Sequence, residues 1–133
     1  MPDPRSHGRW PLVVALLSMW SALLVACGGG TGDPELVLSS RAEQGRTIVE
    51  TRGCAACHGA DGRGVTGPSW DGLPGATVDL EDGTSVVADE AYLRTAILDP
   101  AADIRTGFEL EMPQNDLTEA EVDLVIAYMK ELP

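Results

Sequence analysis

Cys54-Ala55-Ala56-Cys57-His58 places two thiols three positions apart, with an imidazole directly after the second. That spacing is the one that attaches a haem covalently. Two thioethers join the porphyrin's vinyl edges to a single turn of backbone, and the next residue then lies under the iron as its proximal ligand. The same letters also suit a redox Cys-x-x-Cys pair or a zinc site. Zinc is the poorer fit, because the only other histidine, His7, lies in a segment built like a removable export signal. A tetrahedral set of Cys and His donors therefore cannot be assembled. The cofactor read from these residues is one haem c, linked to Cys54 and Cys57 with His58 as one axial ligand.

The second axial position follows by elimination. With His7 removed, His58 is the only histidine left, which excludes bis-histidine ligation within one chain. Met112, Met129, Lys130 and an open site remain. Met129 falls on the apolar face of the last helix, where a core methionine is the better explanation, and Lys130 should be protonated and solvated. Met112 sits in Glu111-Met112-Pro113, an irregular stretch where Pro113 fixes φ and removes a donor. There its side chain can project inward; the plain alternative is a part-exposed loop methionine. A His/Met pair raises the haem potential and closes the iron to outside ligands. That points to electron transfer rather than catalysis.

The first 26 residues read as an address. Arg5, His7 and Arg9 make a short basic start, and Trp10 to Ala26 is apolar without a charge. This is the build of a secretory signal, shorter than the roughly 20 residues a membrane span needs. The run ends in Leu24-Val25-Ala26-Cys27, which resembles a bacterial lipobox, and Gly28-Gly29-Gly30-Thr31-Gly32 follows as a flexible tether. The reading is lipidation of Cys27; the alternatives are an ordinary cleavage site and an uncleaved anchor helix. The expected layout is residues 1–26 as signal, 27–34 as tether and 35–133 as one small domain.

Charge narrows the partners. The whole chain carries −12, from 21 acidic and 9 basic residues, and cleavage before Cys27 would leave 107 residues at −13. Such a surface argues against nucleic acid and against adsorption to anionic lipid. Lys130 is the only lysine, so a lysine ring for docking is excluded. A partner steered by charge should present a basic patch; simple solubility is the bland alternative. Aromatics are scarce too, only Trp70, Tyr92, Phe108 and Tyr128 after cleavage, as expected if a large flat cofactor fills part of the core.

The elements that must hold these residues are mainly helical. The pattern predicts helices over Ser40–Glu50, with Gly45 a weak point, and over Asp89–Leu98, stopped by Pro100. In the last helix Thr118 and Glu121 form a capping box and Leu117 with Val122 a hydrophobic staple. Val122, Val125, Ile126 and Met129 make its apolar face. Between these helices, glycines and prolines from Gly62 to Gly75 describe wrapping loops. Thr77–Leu80 and Thr84–Val87 read as a small β-hairpin turning at Asp82-Gly83. The fold class is all-α with a short β-hairpin insertion.

These strings together resemble a class I cytochrome c domain, from about Glu35 to the end. More narrowly, they resemble the cytochrome c domain fused to subunit II of caa3-type oxidases. The matching residues are Arg52-Gly53 before the haem motif, Gly67-Pro68-Ser69-Trp70-Asp71-Gly72-Leu73, and Leu80-Glu81-Asp82-Gly83-Thr84. Ala88 to Arg94, Ile97 to Pro100, Gly107-Phe108, Met112-Pro113 and Leu124 to Lys130 follow in the same order. The resemblance implies a class I fold wrapped around one haem, with His58 and Met112 as axial ligands. It also implies that the Pro68 carbonyl accepts the ring N–H of His58, and that Gly45 and Tyr128 mark a close helix crossing. Trp70 and Tyr92 would line the haem pocket or reach its propionates, or serve as plain core. The family's oxidase subunit carries membrane helices and a copper domain ahead of the cytochrome, and this chain has neither; a lipid on Cys27 would take over the anchoring.

The expected role is a membrane-tethered carrier of single electrons in a respiratory chain, exported in a bacterium. Its redox partners would be a quinol-oxidising complex and a terminal oxidase. A fixed haem subunit of a larger complex shares that chemistry. The competing class is a haem sensor or peroxidase-like enzyme with a labile sixth ligand, and Met112 discriminates between the two.

Overall fold

The computed structural model describes residues 36–108 and 110–133; the signal, Cys27 and tether expectations lie outside them. These residues form one compact unit, Leu36–Pro133, of four helices and one two-stranded sheet. Helix α1 spans Ser40–Thr51 and begins at Ser39, whose hydroxyl accepts the Ala42 N–H. Helix α2 is a single turn, Ala55–His58. Strands β1 (Thr77–Asp79) and β2 (Ser85–Val87) pair antiparallel with Val78 opposite Val86. Helix α3 covers Glu90–Leu98 and α4 covers Glu119–Glu131. None of the described helices is long and apolar enough to cross a membrane.

The frame is the crossing of α1 and α4. Gly45 is buried against α4, where a Cβ on it would lie 2.0 Å from the Leu124 carbonyl oxygen and 2.9 Å from the Tyr128 Cβ. Only glycine lets the two backbones approach that closely. The residue that weakens α1 by propensity is thus the one its packing requires. Both ends of the crossing are pinned. The Ser39 backbone N–H and hydroxyl donate to the Glu131 carboxylate at 2.7 and 2.6 Å. At the other end Arg52 reaches Glu121 at 2.7 Å and Asp116 at 3.2 Å.

Helix α4 starts as expected. The Thr118 hydroxyl accepts from the Glu121 backbone N–H, and the Glu121 carboxylate accepts the Thr118 backbone N–H at 2.8 Å. That backbone bond, the Arg52 guanidinium and the Thr118 hydroxyl together lower the Glu121 pKa from 4.5 to about 2. The folded state therefore favours the ionised form. Its contribution is complete above the unfolded pKa near 4.5 and disappears as pH falls towards 2. Thermal melts between pH 5 and pH 2 should show a shallower acid loss in Glu121→Gln than in the wild type, because the variant has nothing left to protonate there.

Leu117, Val122, Val125, Ile126 and Met129 are all buried, together with Ala42 and Val49 of α1 and Leu93 and Ile97 of α3. Arg94 of α3 pairs with Glu119 and Asp123 of α4, and Lys130 pairs with Glu90.

The hairpin ladder is one residue shorter at each strand than the sequence suggests. Leu80 keeps its N–H on the Thr84 carbonyl at 2.8 Å and also forms an isolated bridge with Arg105, while the Glu81 N–H donates to Ile104 and the Thr106 N–H to Asp79, both at 2.9 Å. This long-range pairing ties the hairpin to the segment following α3.

Candidate functional site

The Cys54–His58 motif is shaped by its own backbone. The His58 N–H donates to the Cys54 carbonyl and the Gly59 N–H to Ala55, so both thiols and the imidazole sit on one helical turn. Gly59, at φ 79°, ends that turn in the left-handed region that glycine reaches without strain. The chain then folds back over the motif. The Cys57 carbonyl accepts N–H groups from Val65, Thr66 and Gly67, and the Gly64 N–H donates to His58. Cys54 and Cys57 are half-buried, and burial raises the pKa of the Cys54 thiol.

His58 is 7% exposed and is the one buried polar or charged residue among the described residues. Its Nδ1 lies 2.9 Å from the Pro68 carbonyl oxygen. A carbonyl can only accept, so Nδ1 carries the proton and Nε2 of the neutral ring keeps a free lone pair. Burial lowers the ring's pKa, only partly offset by the Pro68 bond, which favours that neutral form. Gly67 makes room for the ring, since a Cβ there would lie 3.0 Å from its Cε1. The Pro68 bond implied by the resemblance is thus present. Trp70 is 6% exposed and stacks on the imidazole with centroids 4.6 Å apart and planes 23° off parallel.

Two largely apolar cavities adjoin this ring. His58, Trp70, Ile97 and Met112 line both. Cys54, Cys57, Pro113 and Val125 are among the further walls of one, and Pro68, Tyr92, Phe108 and Met129 are among those of the other. Together they make a slot with the two thiols at one end and the Tyr92–Phe108 wall at the other. The fold thus brings Cys54, Cys57, His58, Pro68, Trp70, Tyr92 and Met112 to one place. The residues fit a haem: a free Nε2 lone pair, a thioether, two thiols on one turn and an apolar slot beside them. Among the described residues no group of three or more His, Cys, Asp or Glu could hold a metal ion.

Several residues at the site were not singled out from the sequence. Ile97 is part of the buried core and also lines both cavities. Arg105 lies 5.8 Å from the Phe108 ring centroid and reaches the slot through the Leu80 bridge. Asn115 spans from α3 to the stretch after Met112: its amide donates to the Ile97 carbonyl at 2.6 Å, and its Oδ1 accepts the Leu117 N–H. An Asn two residues after Met-Pro was the available signal for Asn115; Arg105 had none.

Comparison with curated proteins returns no match. A family model described as cytochrome c matches residues 42–133, a span that includes every residue lining the slot. This chain therefore belongs to the cytochrome c family, whose members carry haem c and in general transfer electrons rather than catalyse reactions.

Proposed function

We propose that this chain is a monohaem c-type cytochrome tethered to a bacterial membrane, passing single electrons along a respiratory chain towards a terminal oxidase. The observation that carries the electron-transfer reading is that His58 and Met112 line both cavities of one slot. Haem, when bound, supplies a one-electron ferric/ferrous couple.

The protein does the rest. Cys54 and Cys57 would hold the group by two thioethers. His58 presents Nε2, oriented through its Nδ1–H bond to Pro68. The Met112 thioether would be the second protein ligand to that group and would keep oxygen, peroxide and carbon monoxide from it. Trp70 and Tyr92 keep the slot apolar, and low polarity disfavours the extra charge of the ferric state.

The chain acts at the extracytoplasmic face, with a diacylglycerol on Cys27 as anchor and the glycine tether keeping the domain mobile. Its likeness to the cytochrome domain of caa3 subunit II supports an oxidase as acceptor and a quinol-oxidising complex as donor. An acidic surface, with 21 acidic against 9 basic residues, favours partners that present basic patches.

Absorbance spectra of the purified haem-loaded protein, in both redox states and with carbon monoxide added, test the carrier. The expected ferrous spectrum is unchanged by the gas. Prompt carbon monoxide binding overturns the carrier in favour of a sensor or peroxidase-like enzyme. For the anchor, the wild type should fractionate with membranes and Cys27→Ser should not. An unmodified mature N-terminus by mass spectrometry rejects the anchor alone.

A further inference from the structure

A histidine's ring torsion is broad and roughly two-fold, so His58's own covalent structure does not set the plane of its imidazole. Three neighbours do. The Pro68 carbonyl holds Nδ1 at 2.9 Å. Gly67 closes one side without a Cβ. The Trp70 indole covers a face of the ring at 4.6 Å.

Trp70 is itself held firmly. Its backbone N–H donates to the Gly62 carbonyl at 2.7 Å. Tyr128 meets it edge-on, with centroids 6.5 Å apart and planes at 88°. The Tyr128 hydroxyl in turn donates to the Ala60 carbonyl at 2.8 Å. Ala60 and Gly62 belong to the loop that leaves His58, so imidazole, indole, phenol and loop brace one another. A core leucine would fill volume at position 70 but would offer no flat face to the ring. The bland core reading of Trp70 therefore leaves its parallel stack unexplained.

We propose that Trp70 is a positioning residue for His58: its stacked indole fixes the imidazole plane and keeps water off the His58–Pro68 hydrogen bond, which holds the haem's reduction potential up. The inference rests on His58 being an iron ligand, as in the function proposed above. Water reaching that bond would stabilise the ferric state, because a wetter shell around a metal ligand solvates charge better.

The test compares haem-loaded wild type, Trp70→Leu and Trp70→Phe by NMR and by potentiometry. In the ferrous wild type the indole protons should show nuclear Overhauser effects to the His58 ring, and the Nδ1–H should exchange slowly. Trp70→Leu should speed that exchange by up to about tenfold, the fold-change that corresponds to losing an aromatic pair. It should also move the ferric haem-methyl shifts, which report the imidazole plane, and lower the potential. Trp70→Phe, which keeps a flat face, should restore all three towards the wild type.

A Trp70→Leu protein that loses only thermal stability, with exchange, methyl shifts and potential unchanged, overturns the inference. So does a wild type without the indole–imidazole effects, a measurement that does not depend on the variant folding. Carbon monoxide binding by the wild type would leave these proximal readouts intact while rejecting the carrier function, so the two failures are separable.

Discussion

Met112→Ala should turn a closed haem iron into one that binds carbon monoxide, with a potential lower by about 0.2 V. Axial ligands span roughly 0.8 V across haem proteins, and a thioether favours the ferrous state. The thioether links to Cys54 and Cys57 should survive, because both are anchored by α2 and not by the Met112 segment. Some peroxidase activity should accompany the opened site. Met129 provides the control. It is 3% exposed in the core and lines only the cavity on the Tyr92 side, whereas Met112 lines both. Met129→Ala should cost about 2–5 kcal/mol through a cavity, with the methionine-ligated spectrum preserved. Visible spectra with and without carbon monoxide, beside thermal melts, separate the two variants. Exchanged phenotypes would move the ligand from Met112 to Met129.

Gly45→Ala should destabilise the domain by about 2–3 kcal/mol, at the upper end of what overpacking usually costs. The sign is the informative part. In an unpacked helix the same change stabilises by about 1 kcal/mol, since alanine is the better helix former. Here the added methyl would meet the Leu124 carbonyl at 2.0 Å and the Tyr128 Cβ at 2.9 Å, and a backbone carbonyl inside α4 cannot swing aside. The helices must part, and the clash outweighs the propensity gain. For a domain of this size the melting temperature should fall by roughly 10–20 °C. A melt that moved upward would mean that α1 and α4 do not cross at Gly45.

The crossing also locates the site. Arg52 ends α1 beside Glu121 and lies two residues before Cys54. Tyr128 reaches from α4 to Ala60, two residues after His58. The haem motif is thus held on both sides by the same helix pair. Loosening that pair should disturb haem attachment as well as stability, so haem content in Gly45→Ala should fall along with the melting temperature.

Much of this was legible in the sequence because it is local. The Cys54–His58 spacing is covalent chemistry within one turn. The Thr118–Glu121 box, the Asp89–Leu98 helix and the Asp82-Gly83 turn depend on residues three or four apart, which a linear reading sees directly. Gly45 looked like a weakness because propensity counts only its own helix. Its value lies in Leu124 and Tyr128, about 80 positions away, and it was recognised only through family likeness.

What the sequence by itself determined is the candidate donor set and the order of the elements: two thiols and an imidazole on one turn, a methionine before a proline, and helices marked by their caps. What only the tertiary structure decided is how those pieces converge. Leu80 bridged to Arg105, Asn115 spanned to Ile97, and Trp70 came to lie flat on His58. Each of these joins residues 12 to 25 positions apart through a backbone carbonyl or a ring face. No side-chain pattern encodes which carbonyl or which face will be free until the helices have packed. The α1–α4 crossing makes that selection, because it sets where the loops begin and end and so which groups they can reach.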